Sequence, residues 1–329
     1  MNPKVVYATS GWGVHDDRWV AGLAAAGFAV VRAGYPAGVA ELVATSGAVA
    51  VLAGPLFTVT GRIGPLRVPL IGLSWGFDLN EEFPEEAGPG TTTWLSALGG
   101  LIVDSPTTRS IAITLGVDPE LIHLIPWGVD LGLNNPDGLA LTAKDYGLPA
   151  GSRLILSLRR HDGLYRTEEV IESFALAASR APDLALVMGG SGPLTAMHTA
   201  RIAALGLSHR FHLLGQVDEA ELPAVLRGAD MYVTASQSDG TSVTLLQAMA
   251  CGIPVIASQN SGNAPWVISG VTGQTFPVGD IHDLAELMAV GGRDPLAEAC
   301  SRRARTLVES QADWHRNRLS LASIIKGKQ

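Results

Sequence analysis

A chain of 329 residues, 47% of them hydrophobic, has material for about two domains with a core each. The net charge of −8 falls almost wholly on the first half: residues 1–150 carry 7 basic and 14 acidic side chains, residues 151–329 carry 16 and 17. That distribution leaves no basic face for nucleic acid and disfavours an anionic membrane surface for the first half.

Two cysteines, Cys251 and Cys300, make no framework of bridges and fit a reduced, cytoplasmic setting. The N-terminal residues Met-Asn-Pro-Lys-Val-Val-Tyr lack the apolar stretch of a signal peptide. Residues 42–61 are uncharged, but Thr45, Ser46, Gly47, Gly54, Pro55, Thr58 and Thr60 interrupt them, so no integral membrane span is expected. The only lysines are Lys4, Lys144, Lys326 and Lys328. A Walker A phosphate loop is therefore excluded, and a pyridoxal Schiff base has no host in the second half. There is no Asp-x-Asp motif, so no metal-held diphosphate is expected.

Strands are predicted at Val5–Ala8, Ala29–Arg32, Ala48–Ala53, Val68–Leu73, Leu101–Asp104 and Leu121–Pro126. Helical stretches such as Arg18–Ala26 and Thr107–Leu115 fall between them, and Glu81, Glu82, Glu85 and Glu86 form an acidic run. Residues 131–149, rich in Gly, Asn, Pro and Asp, read as a linker with a short helix. The pattern then restarts, with strands at Arg153–Leu158, Ala185–Met188, Arg210–Leu214, Met231–Thr234, Val255–Ala257 and Gly273–Phe276. The fold class is α/β: two Rossmann-like units of parallel sheet in series, implying a cleft with ligands outside the carboxyl ends of the strands.

The most informative stretch is residues 236–257. Asp239 and Gly240 close a loop, Thr241 and Ser242 offer hydroxyl caps, and Leu245, Leu246, Ala248 and Met249 follow helical spacing. Gly252 and Pro254 end the helix before a short strand. A helix opening on Gly-Thr-Ser presents free N–H groups and a positive dipole end, which suits a diphosphate.

This stretch, with its Ala-Met-Ala-Cys-Gly-x-Pro-Val, resembles the signature of retaining glycosyltransferases of family 4, in the glycosyltransferase group 1 class with the two-domain GT-B fold. Asp239 and Gln247 stand at the two glutamate positions of that signature, with seven residues between them. The resemblance implies an N-terminal acceptor domain over 1–132, a linker over 133–149 and a nucleotide-sugar domain over 150–310. It also implies a C-terminal helix over 311–329 returning to the first domain. No cofactor is implied beyond a nucleotide diphospho-sugar as co-substrate, with a hydroxyl acceptor as the partner.

The same resemblance distributes the site residues. Gly11 and Gly13 form a weak Gly-x-Gly after the first strand, which alone reads as a tight turn. In relatives this loop faces the cleft, so His15 or Asp16 could touch the acceptor; from the residues alone, Asp16 caps a helix beginning near Asp17. Trp75 and Asp78 lie where relatives place groups near the reacting sugar, against a plainer reading of core packing and helix capping. Arg160 matches an arginine that holds the donor diphosphate and suits it by its bidentate geometry. Tyr165 stands at the expected lysine, with Arg166 beside it. Gly190 and Gly192 resemble the turn beside the nucleotide; Gln216 and Val217 follow the next strand, where the base is met. Gly240, Thr241, Ser242 and Val243 would meet the diphosphate, Asp239 a sugar hydroxyl and Gln247 the ribose. Catalysis is thus assigned to Asp239, Arg160 and Asp78, and no metal site is expected.

The leading expectation is a retaining, metal-independent glycosyltransferase. Its rival is a catalytically degenerate binding or partner subunit, motivated by Gln247, Tyr165 and Pro265. A nucleotide-sugar epimerase on the same fold would need acid–base groups that the uncharged 240–279 stretch does not supply. Oligomeric state is not readable.

Overall fold

The computed structural model describes residues 2–34, 38–80, 93–292 and 295–327. The acidic run Glu81–Glu86 lies outside them. The chain divides into two compact units, one of Met1–Trp127 with Trp314–Gln329, the other of Gly128–Asp313.

The first unit holds β1 (Lys4–Thr9), β2 (Ala29–Gly34), β3 (Ala50–Ala53), β4 (Leu70–Leu73), β5 (Gly100–Val103) and β6 (Ile122–Leu124). They form one parallel sheet in the order β2-β1-β3-β4-β5-β6. Its inner strands are unbroken buried runs, as in Ala50–Ala53 and Gly100–Val103, because helices cover both faces of a parallel sheet. The helices described are α1 (Val14–Ala25), α2 (Val39–Ser46), α3 (Phe77–Asn80) and α4 (Pro106–Thr114). The first begins four residues before its predicted start. Asp16 lies inside it, three residues past the N-cap Gly13, and its Oδ2 accepts from the Gly13 N–H at 2.9 Å.

The second unit holds β7 (Arg153–Leu158), β8 (Leu184–Gly189), β9 (Phe211–Gly215), β10 (Met231–Thr234), β11 (Val255–Ser258) and β12 (Gln274–Phe276). The parallel order is β12-β11-β10-β7-β8-β9. Its helices are α5 (Thr167–Arg180), α6 (Thr195–Ala204), α7 (Leu222–Arg227), α8 (Val243–Ala250), α9 (Ile281–Val290) and α10 (Pro295–Gln311). Alternation along β7 separates two cores. Leu154 and Leu156 pack with Leu245 and Met249 of α8, while Ile155 packs with Phe174 of α5 and Met288 of α9.

Residues 133–149 are part of this second unit and do not behave as a free linker. Ala143, Tyr146 and Leu148 are buried in its core. Arg227 clasps the stretch, donating from Nε to the Asn135 carbonyl at 2.7 Å and from Nη2 to the Leu133 carbonyl at 3.1 Å. The unit therefore starts at residue 128, earlier than composition suggested.

After Asp313 the chain re-enters the first unit as α11 (Trp314–Asn317) and α12 (Ser320–Lys326). Trp314 meets Trp19 edge to face at 5.3 Å between centroids, and Leu321 is fully buried. A Cβ on Gly22 would lie 3.2 Å from the Trp314 ring, so a glycine at this point of α1 admits the returning segment. No helix among the described residues is long and apolar enough to cross a membrane.

Candidate active site

In the second unit the strand order reverses between β7 and β10. Loops leaving the carboxyl ends of those strands part in opposite directions and open a crevice. A pocket of about 450 Å³ fills it, lined by Arg159 and Arg160 after β7, Gly189–Gly192 after β8, Gln216 and Val217 after β9, and Thr244 on α8.

The two arginines are held differently. Arg160 has a side chain 66% exposed, and its Nε meets Asp162 Oδ2 at 3.0 Å. Arg159 is only 10% exposed. Its Nη2 pairs with Asp239 Oδ2, its Nε donates to Thr234 Oγ1 at 3.1 Å, and its guanidinium carbon lies 5.2 Å from the centre of the Tyr165 ring. Burial opposes the charge of Arg159, but the Asp239 carboxylate counters it and the group is held above its ordinary pKa. Burial likewise pushes the Tyr165 phenol up, so it stays neutral.

Arg166 does not turn into the pocket. Its Nη1 pairs with Glu169, and its Nε and Nη2 donate to Gln237 Oε1 at 3.2 and 3.0 Å. It is also the one non-glycine residue with positive φ among those described, at 46°. A donor contact by Arg166, beside the position of the expected lysine, is corrected: its charge is engaged at the start of α5.

The glycine turn Gly189–Gly192 is shaped by its neighbour strand. A Cβ on Gly190, whose φ is +105°, would collide with the Arg159 carbonyl, and one on Gly192 with the His161 carbonyl. These glycines thus let the turn approach residues 159–161, a packing reason beside the expected ligand reason. Thr195 Oγ1 accepts from the Gly192 N–H at 2.9 Å and bonds His161 Nδ1 at 2.9 Å. His161 stacks edge-on against His198 at 4.9 Å, and both are sealed from solvent. Burial lowers the pKa of each, that of His198 to about 4, with His161 adding to the latter.

Around α8, the N-cap is Ser242, whose Oγ accepts from the Leu245 N–H at 3.3 Å. Thr241 Oγ1 is buried without a partner among the described residues. The N–H groups of Gly240, Thr241 and Ser242 donate to no group among the described residues, and Val243 opens the helix. Gln247 sits one turn in, 6% exposed, with no side-chain hydrogen bond among the described residues. Gln216 Nε2 donates to Ser191 Oγ at 3.0 Å across the pocket rim.

In the first unit the expectations divide. Asp78 is fully buried and its oxygens are taken: Ser74 Oγ donates to Oδ1 at 2.6 Å and the Leu56 N–H to Oδ2 at 2.9 Å. Burial raises its pKa to about 6 against those bonds. It ties two loops together, and its full burial and internal hydrogen bonds speak against the catalytic assignment. Asp16 is also buried, accepting from Tyr7 Oη at 2.9 Å and the Gly13 N–H; an acceptor contact by Asp16 is corrected in the same way. His15 and Trp75 do come together, ring centres 5.7 Å apart, both partly buried and packed on Trp127. Gly11 and Gly13 lie exposed at the carboxyl end of β1, with φ values that any residue adopts.

Sequence reasoning passed over Arg159 in favour of Arg160. The usable signal was strand alternation: two consecutive arginines leaving a strand point to opposite sides, so each needed its own partner. Among the described residues no group of three or more His, Cys, Asp or Glu is placed to hold a metal.

Residues 141–306, half of the chain, match the model of the glycosyl transferases group 1 family, and the chain belongs to that family. Over 242 residues it is 26% identical to a GDP-mannose-dependent monoacylated alpha-(1-6)-phosphatidylinositol monomannoside mannosyltransferase from Corynebacterium glutamicum. That match covers 69% of this chain and 62% of the relative. It is 27% identical over 221 residues to a D-inositol 3-phosphate glycosyltransferase from an Arthrobacter species, covering 66% and 52%. The chain thus spans between about half and five-eighths of the length of these curated relatives. In fold it is similar to Anabaena HepE, solved with UDP and glucose, with a TM-score of 0.81 at 18% identity over 99% of this chain and 100% of that one. Sucrose-phosphate synthase from Thermosynechococcus elongatus gives 0.77 at 19% identity, over 99% and 98%. Both likenesses concern architecture, and they place the two parallel sheets in the GT-B class.

Proposed function

We propose that this protein transfers a sugar from a nucleoside diphosphate sugar to a hydroxyl acceptor, with retention at the anomeric carbon and without a metal. The observation that carries the reading is the pocket at the β7–β10 reversal, lined by the exposed Arg160, a glycine turn and Thr244 of α8, which follows within four residues the N–H groups of Gly240–Ser242 that donate to no group among the described residues. Arg160 and the N–H groups of Gly240–Ser242 are suited to a leaving diphosphate. Asp239 orients the sugar through a hydroxyl. The anomeric bond breaks with oxocarbenium character, and the acceptor oxygen arrives on the same face. Its proton passes to the leaving phosphate oxygen, so no protein base is required. Metal independence draws support from the arginines and from the lack of an Asp-x-Asp motif. The curated relatives named above use GDP-mannose or act on inositol phosphate, and HepE was solved with UDP; uridine and guanosine donors are therefore the first to test.

One observation favours a second reading. With Arg166 engaged by Glu169 and Gln237 and Arg159 buried, Arg160 is the one exposed cation among the described residues lining the pocket, as in a binding-only subunit.

Thermal melting against UDP, GDP, ADP, TDP and CMP, then their sugar conjugates, separates the two. A ligand at a hundred times its dissociation constant adds about 2.7 kcal/mol. Stabilisation followed by turnover supports the transferase; stabilisation without turnover supports a binding subunit; no response to any nucleotide refutes the transferase and favours a partner subunit that has lost the nucleotide site.

A further inference from the structure

We propose that Arg159 is a positioning residue that fixes Asp239 for the donor sugar, and that the ring of Tyr165 is the platform holding Arg159; this rests on the transferase reading. The guanidinium is constrained on three sides, by Thr234 Oγ1, by Asp239 Oδ2 and by the Tyr165 face. Its rotamer freedom is lost on folding and not on ligand binding, which is the advantage of a preorganised group.

Asp239 is 15% exposed and follows a loop with Gly240 next in line. Left alone, a carboxylate beside a glycine would sample several orientations. The ion pair fixes one oxygen, and no hydrogen bond among the described residues reaches Oδ1. One acceptor oxygen therefore remains, aimed by the other, for a single hydroxyl.

The division of labour follows from the contrast with Arg160. That side chain is exposed and tethered only to Asp162 among the described residues, so it can swing onto a diphosphate. Arg159 cannot leave Asp239 without exposing a carboxylate to an unpaired burial cost. Tyr165 makes no hydrogen bond through its hydroxyl among the described residues, so its contribution is the ring face. This gives the tyrosine a task that a lysine at the same place could not perform.

Calorimetric titration of the full chain with UDP, GDP, UDP-glucose and GDP-mannose, paired with turnover, tests the assignment. Arg160→Gln should weaken the bare diphosphate and its conjugate alike, at least tenfold. Arg159→Gln should leave the bare diphosphate within threefold, shift the conjugate-to-diphosphate affinity ratio at least tenfold and lower kcat at least a hundredfold. Adding Asp239→Asn to Arg159→Gln should change these values less than threefold further. Tyr165→Leu should reproduce Arg159→Gln, and Tyr165→Phe should recover most of the loss. Arg159→Lys gives the same comparison should the glutamine variant not fold. Equal damage to bare diphosphate binding by Arg159→Gln and Arg160→Gln overturns the proposal, as does multiplicative loss in the double variant or equivalence of Leu and Phe at 165. Failure of the wild-type protein to bind any of the four ligands overturns the transferase reading itself and this role with it.

Discussion

Acidification should move the stabilities of the two units in opposite directions. In the first unit, burial raises Asp78 from 3.8 to about 6. The native carboxyl then takes its proton before the unfolded chain does, so this contribution is fully present below about pH 4 and is lost as pH rises through 6. In the second unit, burial lowers His198 from 6.5 to about 4. There the unfolded chain takes the proton first, so stability is fully present above pH 6.5 and is lost as pH falls towards 4. Each shift spans roughly two units or a little more, which corresponds to about 3 kcal/mol apiece. For units of this size that is a displacement of about 6–12 °C, upward for the first and downward for the second. Calorimetric scans between pH 4 and 7.5 on the wild type, Asp78→Asn and His198→Gln isolate each term by difference. Relative to wild type, Asp78→Asn should gain stability as pH rises from 4 to 7, on top of a constant cost for the lost acceptor; His198→Gln should do best relative to wild type at low pH. A flat difference curve, or one of the opposite slope, would refute the reasoning from burial.

Three further outcomes are expected. Gly190→Ala places a Cβ against the Arg159 carbonyl at a φ of +105°, and should cost at least ~2 kcal/mol in urea unfolding of the second unit, whereas Gly11→Ala, with nothing within 4 Å, should stay within about 0.5 kcal/mol. Arg227→Ala removes the clasp on residues 133–135 and should lower stability by about 2–4 kcal/mol, with faster amide exchange over 133–148 as the local signature. Arg160→Ala should weaken UDP or GDP binding and flatten its salt dependence; an unchanged dependence on ionic strength would remove Arg160 from the diphosphate site.

The architecture was legible because buried parallel strands announce themselves. All twelve predicted strands exist, two with the predicted bounds and ten displaced by a residue or two at their ends, where pairing and not composition sets the limit. Local chemistry also located the ends of α8, since Ser242 at its N-cap and Gly252 after its last turn have backbone tasks that few other residues perform. Side-chain allegiance was less legible. Asp16 and Asp78 look alike on paper to any cleft carboxylate, and only the positions of Tyr7, Gly13, Ser74 and Leu56 in space reveal that both are consumed internally. The same holds for Arg166, captured by a glutamate one turn later and by a glutamine 71 residues away. The linker was misjudged because glycine and proline mark turns, and turns can be as firmly packed as helices when an arginine gathers their carbonyls.

The return of residues 314–327 to the first unit has a consequence for biosynthesis. The nascent chain emerges amino end first, and domains tend to fold in that order. Here the first unit lacks Trp314 and Leu321, partners of Trp19 and Gly22, until the whole second unit has been made. The segment translated later is therefore the one whose unit is complete sooner. The earlier one waits with the α1 face open until residues 314–327 are available.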